Sequence, residues 1–408
     1  MRKYPYIIAS FLTSIFPLVL IAGHTVADIV ISAIAVLFLI HSFTEKDWRW
    51  CKARWIQCIG AAWIYIVIRS LFAEIPIEAL HQSVPFIRYF IFAASLGHWT
   101  LQSEENRRHF FLVLKCAVFF LAVDGLVQWH WGKDILLKNV FIQPDGNRRL
   151  TGPFTDKPIL GIILTWVSFP VFLELIMSET GRFKKGFFLI TGTMSILFIT
   201  AIIALSGERM ALLLTLGGWV LAILLLPVRK HYLVGLCVAG IMFLAALSFI
   251  SPMMFERQII STVGTLMYWQ ESPYGLLLTS DLHMAGQNPI FGIGTHHFRI
   301  ICPALYPGNK DACNTHPHNI YLEWLIENGI IGLGLFLAFL ASILHRCVKA
   351  WDRERMNPLF LGFLIAFVIR IWPLAPSTSF FSAWGSLPFW LIVGALVAYS
   401  ARGEEQKS

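Results

Sequence analysis

Apolar residues fill this chain in long unbroken runs, and polar residues collect in the gaps between them. A helix crosses a bilayer with roughly 20 apolar residues. On that measure twelve spans are predicted, at about 6–22, 26–43, 55–72, 82–101, 110–129, 158–177, 186–205, 209–226, 232–250, 319–344, 358–373 and 383–400. The run from Gly186 to Leu226 is too long for one crossing, and Ser206-Gly207-Glu208-Arg209 interrupts it, so the Ser-Gly pair marks a turn between two spans. The first run, Tyr6 to Ala22, has a signal-like length. It lacks a small-x-small cleavage site and a second span follows at once, so it is read as a retained helix. The expectation is an all-α polytopic membrane protein, with residues 1–408 as one integral domain. Within it lie a smaller outer loop, 130–157, and a large outer loop, 251–318, between the ninth and tenth spans.

Composition agrees with this pattern: 57% of the 408 residues are hydrophobic and only 14% are charged, against about a quarter in a soluble protein. The net charge of +8 could be taken for a nucleic-acid signal. Its distribution argues otherwise. With the N-terminus in the cytoplasm, 20 of the 32 Lys and Arg fall on the inner side in short segments. These are Arg2, Lys3, Lys46, Arg49, Lys52, Arg54, Arg107, Arg108, Lys115, Arg182, Lys184, Lys185, Arg229, Lys230, Arg346, Lys349, Arg353, Arg355, Arg402 and Lys407. The outer loops hold eight, and the reverse orientation would put the short basic loops outside. Both termini are therefore expected in the cytoplasm. No Walker-type phosphate loop, dinucleotide fingerprint or internal repeat is evident. The large loop contains Cys302 and Cys313, which in a periplasmic compartment are a disulfide candidate; the other five cysteines read as small apolar residues.

Candidate chemistry gathers at the outer ends of spans. His318, next to His316 and across Pro317, opens the tenth span. A histidine is neutral and basic near pH 7, with an ordinary pKa of about 6.5. A metal site from His316, His318 and Asp311 has only weak spacing behind it, and no metal or cofactor is expected. Arg209 opens the eighth span, where a guanidinium beside helix amides suits phosphate oxygens; the alternative is pairing with Glu208 or snorkelling. Arg88 falls within a span, where a charge costs at least ~2.5 kcal/mol and so should face a polar cavity. Arg69 and Arg370 are weaker candidates, and Asp124 is a possible intramembrane partner for any of the three. Arg148 and Arg149 open a basic turn that runs against the positive-inside trend, and an anionic substrate would account for them.

Two motifs then combine. Arg209-Met210-Ala211-Leu212-Leu213 fits Arg-x3-Leu, and His318-Asn319, nine residues and Gly329-Ile330-Ile331-Gly332 fit a His-Asn-x9-Gly-x-x-Gly pattern. Together with Asn288-Pro289-Ile290-Phe291-Gly292-Ile293-Gly294 and Arg149-Leu150-Thr151-Gly152-Pro153-Phe154, they resemble the signatures of bacterial O-antigen ligases, within the O-antigen ligase/polymerase superfamily. The order of motifs and spans is similar along the whole chain. The family's further loop arginine has no counterpart in Tyr274 to Ser280; Arg257 and Arg299 are the two substitutes.

The resemblance implies a GT-C-like fold in the bacterial inner membrane with a periplasmic active site. The implied donor is an undecaprenyl-diphosphate-linked glycan and the implied acceptor is lipid A–core oligosaccharide, both reached through membrane lipid. His318 would be the base. Arg209, Arg88, Arg149 and Arg148 would hold the diphosphate, and Asn319, His316, Gly329 and Gly332 would support the site. An O-antigen polymerase or a protein O-oligosaccharyltransferase is the nearest alternative, and a lipid-linked glycan transporter is the alternative from another class. A transporter predicts functional polar residues near mid-membrane on several helices, whereas here they gather at the outer face, apart from Arg88 and Asp124.

Overall fold

The computed structural model describes residues 3–143, 146, 148–154, 157–177, 185–226, 230–251, 255–307 and 313–401. Arg2, Arg182, Lys184, Arg229, Lys310, Arg402 and Lys407, which entered the charge argument, lie outside the described residues, as does Asp311. The chain is helical almost throughout. In order come α1 (Lys3–Ala22), α2 (His24–Thr44), α3 (Arg54–Ser70), α4 (Pro76–Ser83), α5 (Ile87–Ser95), α6 (Glu104–Trp131), α7 (Leu160–Met177), α8 (Lys185–Leu205), α9 (Arg209–Leu225) and α10 (Lys230–Ile250). The large loop adds α11 (Ser261–Met267), α12 (Pro273–Gln287) and α13 (Phe298–Leu305), and the chain ends on α14 (Ile320–Glu354), α15 (Pro358–Arg370) and α16 (Ala383–Ser400).

Among the described residues, six helices, α1, α2, α6, α7, α14 and α16, are long and apolar enough to cross a membrane, and four shorter apolar helices lie within α8, α9, α10 and α15. This is a multi-pass helical membrane protein. Each expected span is helical over most of its length, with one change of shape. The predicted 82–101 crossing is broken between α4 and α5 at Val84-Pro85-Phe86, because proline cannot donate to the preceding turn. The centre is α16, buried at every residue from Trp384 to Ser400. A helix apolar all round must be enclosed by other helices. By contrast α1 and α2 keep exposed apolar faces, including Phe11, Leu18, Ile29, Val36 and Phe43, as lipid-facing helices do.

The smaller outer loop holds two antiparallel two-residue strands, β1 (Phe141–Ile142) and β2 (Arg148–Arg149), with Phe141 opposite Arg149. Asp124, at the end of α6, is buried and accepts the Ile135 amide at 2.8 Å, so it ties this loop down. The large loop has a small core of its own, in which Leu277, Met284, Ile293, Phe298 and Cys302 pack on Ile326 of α14. Cys302 and Cys313 are joined by a disulfide, with their Cα atoms 5.8 Å apart.

The loop is fastened to α14 at a break in that helix. Gly329 has φ 65° and ψ −173°, which interrupts the hydrogen-bond ladder. Each broken ladder group needs a new partner, because an unsatisfied one in lipid costs several kcal/mol. The segment Pro289 to Gly294 supplies them. The Ile293 amide donates to Ile326 O at 2.9 Å, the Gly294 amide to Glu327 O at 2.8 Å, and the Ile330 amide to Pro289 O at 2.8 Å. Tyr65 Oη donates to Asn328 O at 2.9 Å. Arg69 donates to Phe291 O and Gly292 O at 3.0 and 2.6 Å, so its partners are loop carbonyls rather than an interface or a carboxylate.

The fit leaves no room for a side chain at the crossing. A Cβ on Gly329 would lie 2.1 Å from Ile290 O, and one on Gly292 would lie 2.4 Å from Asn328 N. Gly329→Ala should therefore destabilise the protein by at least about 2 kcal/mol, the scale of left-handed strain plus overpacking. Gly217→Ala, on an open face of α9, should not. Thermal melts in detergent check this; equal midpoints for the two variants would contradict the account of the clamp.

Candidate active site

Where the N-terminal ends of α7, α9 and α14 meet the two loops, a cavity of about 520 Å³ opens. Its walls bring together Arg149, Lys157, Arg209 and Arg257 with His316 and His318, and Pro376, Ser377 and Thr378 close one side. Four cations in one hollow repel one another unless an anion sits between them. One carboxylate, Glu208, is also in the wall. It accepts the Gly161 amide at 2.7 Å, and burial pushes its pKa up to about 7 against the opposing pull of Arg149. A carboxylate so placed does not neutralise the hollow.

Arg209 opens α9 because Gly207, at φ 75°, turns the chain tightly after α8. Its guanidinium donates to Ser261 O at 3.1 Å and Thr265 Oγ1 at 3.0 Å and lies over the Tyr274 ring at 5.9 Å. These contacts aim the head group, and Glu208 is not its partner. Arg149 donates to Pro158 O at 3.2 Å, and its buried Nε has no acceptor. An orphaned guanidinium N–H at a cavity wall is open to a ligand oxygen. Arg257 donates through Nε to Gly207 O at 2.5 Å, which holds it over the same turn.

His318 is half-buried just before α14. Asn319 caps that helix, accepting the Tyr321 and Leu322 amides at 2.9 and 3.2 Å and donating to Pro373 O at 2.6 Å. The cap fixes the backbone on which His318 sits, and the Ser377 amide donates to His318 O at 2.6 Å. Asn314 Nδ2 donates to His318 Nε2 at 2.9 Å. An amide nitrogen only donates, so this contact assigns the lone pair to Nε2 and leaves the proton of the neutral ring on Nδ1. Burial lowers the His318 pKa below its ordinary value of 6.5, partly offset by the Ser377 contact. His316, its ring centroid 4.6 Å away, donates to Ser377 O at 3.2 Å; burial, then repulsion from His318, lowers it to about 4. Burial favours the neutral form of both imidazoles at pH 7, and the His318 lone pair is the one held by Asn314.

Other expected residues are placed elsewhere. Arg88 does not reach the cavity: it pairs with Asp28 at 2.7 Å and donates to Pro85 O at 2.8 Å, so Asp28, not Asp124, offsets its insertion cost. Arg370 is buried with its guanidinium 4.6 Å above the Trp166 ring. Arg148 is exposed and absent from the cavity wall, as is Arg299. Of the two loop arginines, Arg257 is the one that lines the cavity. Gly329 and Gly332 belong to the packing of α14 rather than to the cavity, and Asn319 acts as a cap. Sequence reasoning does not single out Lys157, Tyr274 or the Ser377-Thr378 pair for the site. The two hydroxyls are buried and unpartnered, and their only sequence signal is the Pro-, Ser- and Thr-rich stretch Pro373 to Ser379 between the last two helices.

The fold and this hollow define a multi-pass membrane protein with a cationic, histidine-bearing cavity at one face. Residues 194–337, from α8 into α14, match the family model described as O-antigen ligase. That stretch is similar to the O-antigen ligase family model and includes the Arg209 and His318 motifs. No curated protein matches the chain. The matched stretch contains Arg209, Arg257 and His318; Arg149 reaches the cavity from outside it.

The geometry separates the loop arginines experimentally. Arg257→Gln should weaken binding of inorganic pyrophosphate about tenfold, or about 1.4 kcal/mol, and Arg299→Gln should leave it within about twofold. Calorimetric titration in detergent checks both, and a loss confined to Arg299→Gln would contradict the placement.

Proposed function

We propose that this protein is an O-antigen ligase, transferring a glycan from undecaprenyl diphosphate to an outer-core sugar of lipid A–core on the periplasmic side of the bacterial inner membrane. The observation that carries the reading is the single cavity in which three arginines and a lysine face a neutral histidine. A diphosphate needs dispersed positive charge, and a sugar hydroxyl needs a base; both are present at one site.

In this reading His318 Nε2 takes the proton of the acceptor hydroxyl, whose oxygen attacks the anomeric carbon of the donor. The bond from that carbon to the diphosphate oxygen breaks, and the electron pair leaves with the lipid diphosphate. Arg149, Arg209 and Arg257 stabilise the charge that grows there, and fixed charges aimed at developing charge commonly supply most of an enzyme's rate enhancement. One displacement inverts the anomeric carbon. Asn314, which donates to Nε2 in this structure, gives way to the acceptor. The diphosphate is already a good leaving group, so guanidinium charge suffices without a metal ion.

A polymerase would use the same donor and the same cavity. Deletion of the gene in its host distinguishes them on a lipopolysaccharide gel. A ligase predicts lipid A–core without O-antigen and polymer left on its carrier, whereas accumulated single repeat units would overturn the ligase reading. His318→Ala should lower transfer at least about a hundredfold with normal insertion. The wild-type rate should be flat near neutrality and fall as pH drops through the depressed His318 pKa, below 6.5, because the protonated ring cannot accept a proton. An acid limb centred above 6.5, or full activity in His318→Ala, would remove the base assignment.

A further inference from the structure

At the far end of α14 from His318 lies a second hollow, of about 210 Å³. From Gly329 to Arg346 the helix runs roughly 25 Å at 1.5 Å per residue, close to the thickness of a hydrocarbon core, so this hollow opens at the opposite membrane face. Arg54 of α3 and His345, Arg346, Lys349 and Arg353 of α14 line it, and among the described residues no carboxylate does.

This arrangement is unfavourable as it stands. Arg346, Lys349 and Arg353 follow one face of the helix at spacings of three and four, where like charges destabilise each other. Arg54 adds a fourth cation from a distant part of the chain, and it stands at the first turn of α3, against the positive end of the helix dipole. That helix has no side-chain cap. Partial relief comes from Ser400, which accepts from Arg346 Nε at 2.7 Å and, through its carbonyl, from Arg353 at 2.8 Å; Glu354 lies 3.4 Å from Arg353. Arg54 and Lys349 stand in the same wall with no salt bridge of their own among the described residues. Trp55 also lines the hollow; it is 2% exposed, and its indole N–H has no acceptor. Arg54, Lys349, the uncapped amides of α3 and the orphaned Trp55 indole donor together suit an anion.

We propose that this hollow binds the phosphate of an anionic phospholipid from the leaflet opposite the active cavity. Its position at the mouth of two membrane helices, with Trp55 beside the basic cluster, is that of a headgroup site. The occupied site ties α3 to the end of α14, the two helices that also meet at the Gly329 break.

The test is native mass spectrometry of the intact protein released from nanodiscs of phosphatidylglycerol mixed with phosphatidylcholine. Wild type should retain phosphatidylglycerol over phosphatidylcholine. The triple variant R346Q/K349Q/R353Q should lose that preference at least tenfold, and the exposed Lys349→Gln alone, which leaves the Ser400 contacts intact, should lower it severalfold. Equal retention by wild type and Lys349→Gln would overturn the site. Soluble glycerol phosphate should fail to displace the lipid at millimolar concentration; displacement would show that the hollow takes a free phosphate ester instead and would overturn the lipid assignment. None of these readouts depends on glycan transfer.

Discussion

The structure depends on the crossing of Gly329 with the Pro289–Gly294 segment. A break in a membrane helix exposes backbone groups that lipid cannot satisfy, and here the Pro289–Gly294 segment, with Tyr65 of α3, supplies the partners named above. The exchange is reciprocal, since the loop is held by the same bonds that repair the helix. Both glycines are required because two backbones approach closer than any Cβ allows. Tyr65 and Arg69 extend the junction to α3. The first turns of α14, with His318 before them, are thereby set against the large loop that carries Arg257.

The second constraint is charge. Basic side chains at membrane level are tolerated where something offsets them, and the chain uses different means at different positions. Arg88 has Asp28, Arg69 has loop carbonyls, and Arg370 has the faces of aromatic rings. Around the His318 cavity the offset is incomplete. Arg149 keeps an unpartnered N–H, and Glu208, the one carboxylate in the wall among the described residues, has its pKa raised by burial. The cavity therefore keeps an excess of positive charge.

Much of this was legible in the sequence. The helices follow from apolar runs, and Arg209 and His318 stand out because each opens a helix after a polar break. Arg149 stood out by violating the charge trend of the loops. The partner of Arg88 is hidden in the sequence, because composition shows a buried charge but not its partner; Asp28 lies sixty positions away and the packing of α2 on α5 joins them. The choice between Arg257 and Arg299 was likewise set by how the loop folds. Lys157 counted only as a loop charge, and Ser377 and Thr378 are ordinary loop residues until α15 and α16 bring them to the wall. Gly329 was visible as a motif position, yet its work as a backbone crossing depends on a segment nearly forty residues earlier.

The most direct measurement is a density map of the protein with undecaprenyl diphosphate bound. The account predicts the two phosphates between Arg149, Arg209 and Arg257, with His318 Nε2 facing the position of the anomeric carbon. Phosphates bound at Arg88, or bound elsewhere with His318 turned away from them, would contradict it.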